Sequence, residues 1–393
     1  MENWKLTNLG DVANFVRGPF GGSLKKEFFV DEGYAVYEQQ HAIRNQFHSV
    51  RYFIDENKFK EMKRFELHEN DIIMSCSGTM GKVAIVPNNI QKGIINQALL
   101  KISPSNKLDS KFLENYMKSV TFLNYLNAEV KGVAIKNVAS VKDLKQIPIL
   151  LPPLTEQQAI VEKLDFAFDA IEKARANTEK NIENAKELFQ SKLNAIFSQK
   201  GESWEEIEIG KLCVLKRGHN PPKSNFIYEP KDGYVRFYQI RDGSSDKFAV
   251  YVPDTPQLQR VEPNDILIVA YRHVGRAFRG VTGCFNVALC KVSNRDRSVL
   301  NDDYLFYIIP TNFVRGELLK QSERSLIPSM SVEHLKIIKI PVPTLDIQNE
   351  IVKQLDQLKL QTNLLQEKYI HKLANLEELK KSILEKAFKG ELV

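Results

Sequence analysis

Two stretches of this chain concentrate side chains that can read the edge of a base pair. The first runs Tyr37-Glu38-Gln39-Gln40-His41 and continues to Arg44 and Asn45. The second runs Phe237-Tyr238-Gln239-Ile240-Arg241-Asp242. Gln and Asn can meet adenine with two hydrogen bonds, and Arg can do the same for guanine. A third stretch, Tyr271 to Arg279, sets Arg272, His273, Arg276 and Arg279 among aromatic residues. Two glycine turns add cations: Gly78-Thr79-Met80-Gly81-Lys82 and Arg272-His273-Val274-Gly275-Arg276. A turn that presents Thr79 and Lys82, or Arg276, suits a phosphate oxygen of a nucleic acid backbone. Each stretch also fits the plainer reading of a solvated polar loop, which uses the same letters.

Other chemistries find less support. Asn220-Pro221-Pro222-Lys223 approaches the Asn-Pro-Pro-aromatic motif of amino-methyltransferases, but Lys223 cannot stack a flipped base. The turn ending Gly81-Lys82 hints at a P-loop, yet Cys76 stands where its first glycine belongs and Val83 where Ser or Thr should hold magnesium. The seven histidines show no HxxxH or HExxH spacing, so no metal site is expected. Cys76, Cys213, Cys284 and Cys290 form no CxxC pair and read as buried free thiols of a reducing cytoplasm. No secretory leader pattern is seen, and no apolar run reaches the roughly 18 residues a membrane span needs. The net charge of +6 permits nucleic acid binding without arguing for it.

The elements that must position these residues come in two copies. At 393 residues the chain is too long for one core, and two or three domains are expected. SVKDLKQIPILLPPLTEQQAIVEKLD (140–165) and SVEHLKIIKIPVPTLDIQNEIVKQLD (331–356) agree at about half of their positions without a gap. Upstream, WKLTNLG faces WEEIEIG, Arg17-Gly18 faces Arg217-Gly218, and Gln39 faces Gln239. Asn70-Asp71-Ile72 faces Asn264-Asp265-Ile266, and GIINQALLKI faces GCFNVALCKV. The offset drifts between 190 and 200, as small loop insertions in one preserved fold would make it.

Each copy has two parts. In the first, DIIMSCSG, KVAIV, ALLKI, DILIVAY and VALCKV read as strands and LDSKFLENYMKS as a short helix. The second opens at Pro152-Pro153 or Pro343, with Thr155 or Asp346 as the expected helix N-cap and Glu156 in the first turn. About 43 residues free of Gly and Pro follow, roughly 65 Å of helix. The later helix carries a heptad stripe: Ile351, Leu355, Leu358, Thr362, Leu365, Tyr369, Lys372, Leu376, Leu379, Ile383. The earlier one carries Ile160, Leu164, Ala167, Ile171, Ala174, Thr178, Asn181, Ala185 and Leu188. Such 4-3 spacing is that of a coiled-coil seam, and the two helices are expected to pack antiparallel. Polar members such as Asn181 and Lys372 would fix register. Both copies close alike, in SKLNAIFSQKGE and SILEKAFKGEL. The expected fold class is therefore α+β, with two mixed α/β globules separated and followed by long antiparallel helices under an internal pseudo-two-fold.

This arrangement resembles the specificity (S) subunit of type I restriction–modification systems. The residues that carry it are IPILLPPLTEQQAIVEKLD, IKIPVPTLDIQNEIVKQLD, AFKGEL, the two Trp-led starts, and the NDII and NDIL strands. The resemblance implies target recognition domains at 1–154 and 200–345, and spacer helices at 155–199 and 346–393. Each globule would read one half of a bipartite, asymmetric DNA target. The stripe residues Ile160, Leu164, Ile171, Leu188, Ile351, Leu355, Leu358, Leu365, Leu376, Leu379 and Ile383 would serve helix pairing and partner docking. Implied partners are double-stranded DNA, two methyltransferase (M) subunits and motor/nuclease (R) subunits. S-adenosylmethionine would then sit on M, and ATP with magnesium on R, with no cofactor and no catalytic site in this chain. The alternatives are a scaffold whose repeated globules bind protein or glycan, and an enzyme with a scattered active site.

Overall fold

The computed structural model describes residues 4–128, 140–199, 201, 204–322 and 328–392. The chain divides into two compact units, Met1–Thr178 with His371–Val393, and Glu179–Ile370. Residues 200 and 202, at the end of the first closing match, lie outside the described residues.

In the first unit, an antiparallel sheet runs in the order Ala13–Arg17, Leu99–Pro104, Ile72–Ser75, Val83–Ile85. In the second, the corresponding sheet runs Cys213–Arg217, Leu289–Asn294, Ile266–Val269, Ala277–Phe278. A further sheet in the first unit pairs Tyr34–Tyr37 with Gly93–Ile95 in parallel. Tyr234–Tyr238 pairs with Gly283–Phe285 in the same sense in the second. Where one globule has a strand pair the other has a single bridge: Phe29–Val30 on Phe53–Ile54 against Ile227 on Tyr251, and Arg260–Val261 on Gly283–Phe285 against Glu66 on Ile94. The topology is thus kept while the loops diverge. A small antiparallel ribbon, Lys5–Asn8 on Pro148–Leu151 or Glu205–Glu208 on Lys339–Val342, brings the chain to each long helix.

Several repeated letters have local structural causes. A Cβ on Gly18 would lie 1.9 Å from the Asn96 carbonyl oxygen, and one on Gly218 2.1 Å from that of Asn286, so only glycine lets the strands approach. Asp71 accepts the His68 N–H at 2.9 Å, and Asp265 that of Glu262 at 2.9 Å, closing the turn before the central strand. Lys101 is 7% exposed and donates to the Glu66 carbonyl at 2.6 Å, and burial lowers its pKa. Its counterpart Lys291 pairs with Asp265 at 3.1 Å. Lys101 is thus a buried cation, and Lys291 is half-buried.

The long helices span Leu154–Ser198 and Leu345–Phe388. Each begins one residue before the expected N-cap, Thr155 or Asp346, which therefore lies inside the first turn instead of capping it. The Pro153 carbonyl already accepts the N–H groups of Glu156 and Gln157, and that of Thr344 accepts Gln348. Proline fixes φ near the helical value, so it can stand at the entry.

Each unit holds the start of one long helix and the end of the other. In the first unit, Glu172 pairs with Lys380 at 2.8 Å and Arg175 with Glu377 at 3.2 Å, the crossing order of antiparallel helices. Ile160, Leu164, Leu384, Ala387 and Phe388 join one core with Phe112 and Tyr116. Thr121 donates its N–H and Oγ–H to the Glu385 carboxylate at 3.1 and 2.8 Å. In the second unit, Leu193, Phe197, Ile351 and Leu355 join one core with Tyr304, and the Asn312 N–H donates to Asn194 Oδ1 at 3.0 Å.

The heptad stripe holds in part. Ile160, Leu164, Ile171, Ala185, Ile351 and Leu355 are buried, and Leu358, Leu376 and Ile383 are half-buried. Thr178 and Thr362 are buried, and each donates its hydroxyl to the carbonyl four residues back. Leu188, Leu365 and Leu379 are exposed, as is Lys372, and their C-terminal neighbours Phe189, Gln366, Lys380 and Leu373 are more buried. The cause is geometric: 3.6 residues per turn drifts about 20° per heptad against a 3.5 repeat. Counted over five heptads, a strict stripe therefore slips off the seam.

Candidate nucleic-acid interface

In the first globule, Tyr37 ends a strand with its ring buried and its hydroxyl donating to the Gln91 carbonyl at 2.6 Å. Burial pushes its pKa up to about 12, so it is a fixed neutral pillar. The chain then turns into the short helix Gln39–Arg44, ended by Asn45 in a left-handed conformation at φ 51°. Glu38 caps this helix and is held by Arg51 through two bonds of 3.0 Å. Gln39 and Gln40 are half-buried, whereas Arg44 and Asn45 are exposed.

His41 departs from the expected role. It is fully buried, its Nδ1 accepts the Glu38 N–H at 2.9 Å, and its Nε2–H donates to the Ser49 carbonyl at 3.1 Å. Both ring nitrogens are used inside the globule, so His41 holds the helix start and has nothing left to offer a base.

The second globule builds the same corner. Gln239 caps the one-turn helix Ile240–Gly243 together with Asp242, which accepts the Gln239 N–H at 2.6 Å and Arg236 at 3.0 Å. Tyr238 is only 9% exposed, and the Arg236 guanidinium lies 4.7 Å from its ring centre. That packing makes Tyr238 part of the wall rather than a reading group. Arg241 is exposed and lies 5.5 Å from the ring centre of Phe248, itself 54% exposed. Among the described residues, Gln39 Oε1 and Gln239 Nε2 are both shielded and make no hydrogen bond within the chain.

The glycine turns are superimposable in their bonding. Gly81 donates to the Ser75 carbonyl at 2.9 Å and Ser75 to that of Lys82 at 2.9 Å; Gly275 donates to Val269 at 3.0 Å and Val269 to Arg276 at 2.7 Å. Gly81 and Gly275 take φ of 74° and 80°, where a side chain would be strained. This bonding places Lys82 and Arg276 at one position of the fold, both exposed. Thr79 is exposed beside Lys82, and its carbonyl accepts the Ser75 hydroxyl at 2.6 Å.

The structure brings turn and helix together in each globule. Ile43, Asn45, Gly81, Lys82 and Lys118 line one open cavity of about 310 Å³. Arg276 donates to Ser244 Oγ, at the end of the one-turn helix, at 2.7 Å. Arg272, left-handed at φ 62°, and His273 project from the same turn and are exposed. Arg279 is not free: it pairs with Asp303 and lies 4.5 Å from the Phe306 ring centre. It ties the strand to the helix Asp302–Ile308.

Residue types alone passed over Phe20, Tyr228 and Phe248, which are 80%, 71% and 54% exposed. Exposed aromatic rings beside cations can stack on bases or sugars. Phe20 sits in Arg17-Gly18-Pro19-Phe20, and a lone aromatic in a Gly/Pro turn was the available signal.

The four cysteines are buried and unpaired, and burial raises their pKa, to about 11 for Cys76, Cys284 and Cys290 and about 12 for Cys213. Thiols so protonated are poor nucleophiles. Among the described residues no group of three or more His, Cys, Asp or Glu could hold a metal, and no helix is long and apolar enough to cross a membrane.

The chain matches the family model of the type I restriction modification DNA specificity domain twice, over residues 1–183 and 201–375. The Type I restriction enzyme EcoBI specificity subunit of Escherichia coli is 24% identical over 77% of this chain and 70% of its own length. The MjaVIII specificity subunit of Methanocaldococcus jannaschii is 24% identical over 100% of this chain and 93% of its own. A chain solved for the structural basis of complex assembly and conformational transition of the type I R-M system shares the fold, with a TM-score of 0.75, 21% identity and coverage of 99% and 98%. The HsdS subunit from Thermoanaerobacter tengcongensis gives a TM-score of 0.62 at 21% identity, covering 99% and 97%. Two matches of one family model, falling on two copies of one corner and one proline-led helix, place this chain in the family of type I restriction–modification specificity (S) subunits.

Proposed function

We propose that this S subunit reads a bipartite, asymmetric DNA target, one half-site per globule. The observation that carries the reading is the repeated corner. Each globule sets a polar segment, Gln39–Asn45 or Gln239–Ser244, beside an exposed turn cation, Lys82 or Arg276. Gln39, Gln40, Arg44 and Asn45 would read bases in one half-site, and Gln239, Arg241, Arg272 and His273 in the other. Lys82 with Thr79, and Arg276, would hold phosphates. The backbone of the corner is shared while its reading letters differ, so the half-sites differ.

The recognition domains lie within 1–154 and 200–345, and the helices of 155–199 and 346–393 set the unread spacer. Two M subunits dock on those helices. The apolar residues that the seam leaves exposed, Phe166, Leu188, Leu360, Leu364 and Leu379, support this docking. The M subunits carry S-adenosylmethionine and methylate adenine, and an R subunit brings ATP, magnesium and cleavage. This chain supplies no catalytic group and works in the cytoplasm.

Methylome sequencing with and without the gene tests the reading. Loss of one asymmetric bipartite methyl-adenine motif is expected, and an unchanged methylome would refute it. Exchanging residues 5–150 for those of a relative should change one half-site only.

A further inference from the structure

Gln157 and Gln348 stand at the same place in the two copies, in the first turn of each long helix, and both are 0% exposed. Around them the letters diverge: Thr155-Glu156 faces Asp346-Ile347, and Gln158 faces Asn349. The bonding of the two amides does not diverge. Gln157 Oε1 accepts the Asp109 N–H at 2.8 Å, and its Nε2 donates to the carbonyls of Lys107 and Pro152, both at 2.9 Å. Gln348 Oε1 accepts the Asn301 N–H at 2.7 Å, and its Nε2 donates to the carbonyls of Val299 at 2.9 Å and Pro343 at 2.8 Å.

Each amide thus joins three pieces. Asp109 and Asn301 are the N-caps of the short helices Ser110–Lys118 and Asp302–Ile308. Lys107 and Val299 lie in the loops before those caps, and Pro152 and Pro343 lead into the long helices. One acceptor and two donors at this reach are a primary amide. A glutamate of the same shape could accept but not donate, and would face two carbonyl oxygens with a buried charge.

We propose that Gln157 and Gln348 are positioning residues that fix the angle at which each long helix leaves its globule, and so set how strictly the protein discriminates half-site spacing. This rests on the bipartite reading above. The leverage is large. A 45-residue helix is about 67 Å long, so a tilt of about 3° at its first turn moves its far end by about the 3.4 Å rise of one base pair. Three bonds to one buried amide across three segments resist a tilt of that size.

The test uses the whole chain co-expressed with its methyltransferase partner, as wild type, Q157E, Q348E and the milder Q157N. Leu126→Ala serves as a control that loosens the same core away from the amide. Methylation is counted at sites with both correct half-sites and a spacer that is native, one base pair longer or one shorter. The variants should keep both half-site sequences, while the ratio of off-spacing to native-spacing methylation rises by about ten-fold, the scale of one lost hydrogen bond. L126A should lower all sites together and leave the ratio unchanged. A wild-type ratio in the Gln variants overturns the proposal, whatever happens to total methylation. Insolubility of all three also overturns it, since the amide would then be a folding requirement rather than an alignment device. A wild type that marks no bipartite motif refutes the underlying reading instead.

Discussion

Phe388→Ala should loosen a core whose buried members, apart from Leu384 and Ala387 on its own helix, lie between residues 9 and 164. Phe388 ends the second long helix, is 8% exposed, and sets its ring 5.1 Å from Phe112 and 5.3 Å from Tyr116, edge to face. Truncating a core phenylalanine to alanine costs about 3–5 kcal/mol, of which each aromatic pair accounts for about 0.5–1.5. A helix end relaxes more easily than its middle, so the lower figure applies. About 3 kcal/mol is roughly a hundred-fold in the opening equilibrium. Native-state hydrogen exchange reads it strand by strand. Protection in Ala13–Arg17, Ile72–Ser75 and Leu99–Pro104 should fall about a hundred-fold, while Cys213–Arg217, Ile266–Val269 and Leu289–Asn294 change by less than about three-fold. Phe197→Ala should do the reverse, because Phe197 is fully buried against Tyr304 at 5.2 Å. Equal losses in both sets of strands from either variant would refute the claim that each long helix ends in the core of the other copy.

Lys82→Ala and Arg276→Ala should each weaken binding to target and non-target duplex alike and reduce the salt slope by about 1, whereas Arg279→Ala, tied to Asp303, should leave the slope unchanged; unaltered slopes for the first two would remove them from the phosphate contact. The buried thiols and Tyr37 have folded pKa values of about 11 to 12 against ordinary values of 9.0 and 10.0. Groups raised on folding contribute stability that is complete below the ordinary values and lost as pH rises through the folded ones. Urea midpoints should therefore hold up to about pH 9 and fall towards pH 12, and a flat profile would contradict their burial. Leu379→Lys, on an exposed position, should change stability by under about 0.5 kcal/mol, while Leu164→Ala should cost about 2–5; similar losses from the two would put the seam where the strict heptad count has it.

The elements were legible because they depend on local periodicity. DIIMSCSG and DILIVAY alternate and branch as strands do, and both long helices are free of Gly and Pro between proline-led starts. The candidate site was legible in its backbone and partly in its side chains. The repeat pointed to Gln39 and Gln239 as candidates, and the glycine turns to Lys82 and Arg276. His41, Tyr238 and Arg279 carry the right chemistry and spend it internally, on the Ser49 carbonyl, on Arg236 packing and on Asp303. Residue type states what a side chain can bond, not whether a neighbour distant in sequence has already taken the bond.

What the sequence alone determined is the double architecture, the family and the pair of corners, since a repeat and a 3.6- or 2-residue period are properties of the string. Only the tertiary structure decided that the end of each long helix completes the core of the other copy. It also decided that the apolar seam slips by a residue over five heptads, and that Gln157 and Gln348 are bonded alike. Those facts depend on accumulated twist and on contacts spanning 47 to 264 residues, where small angles and single hydrogen bonds settle what local propensity leaves open.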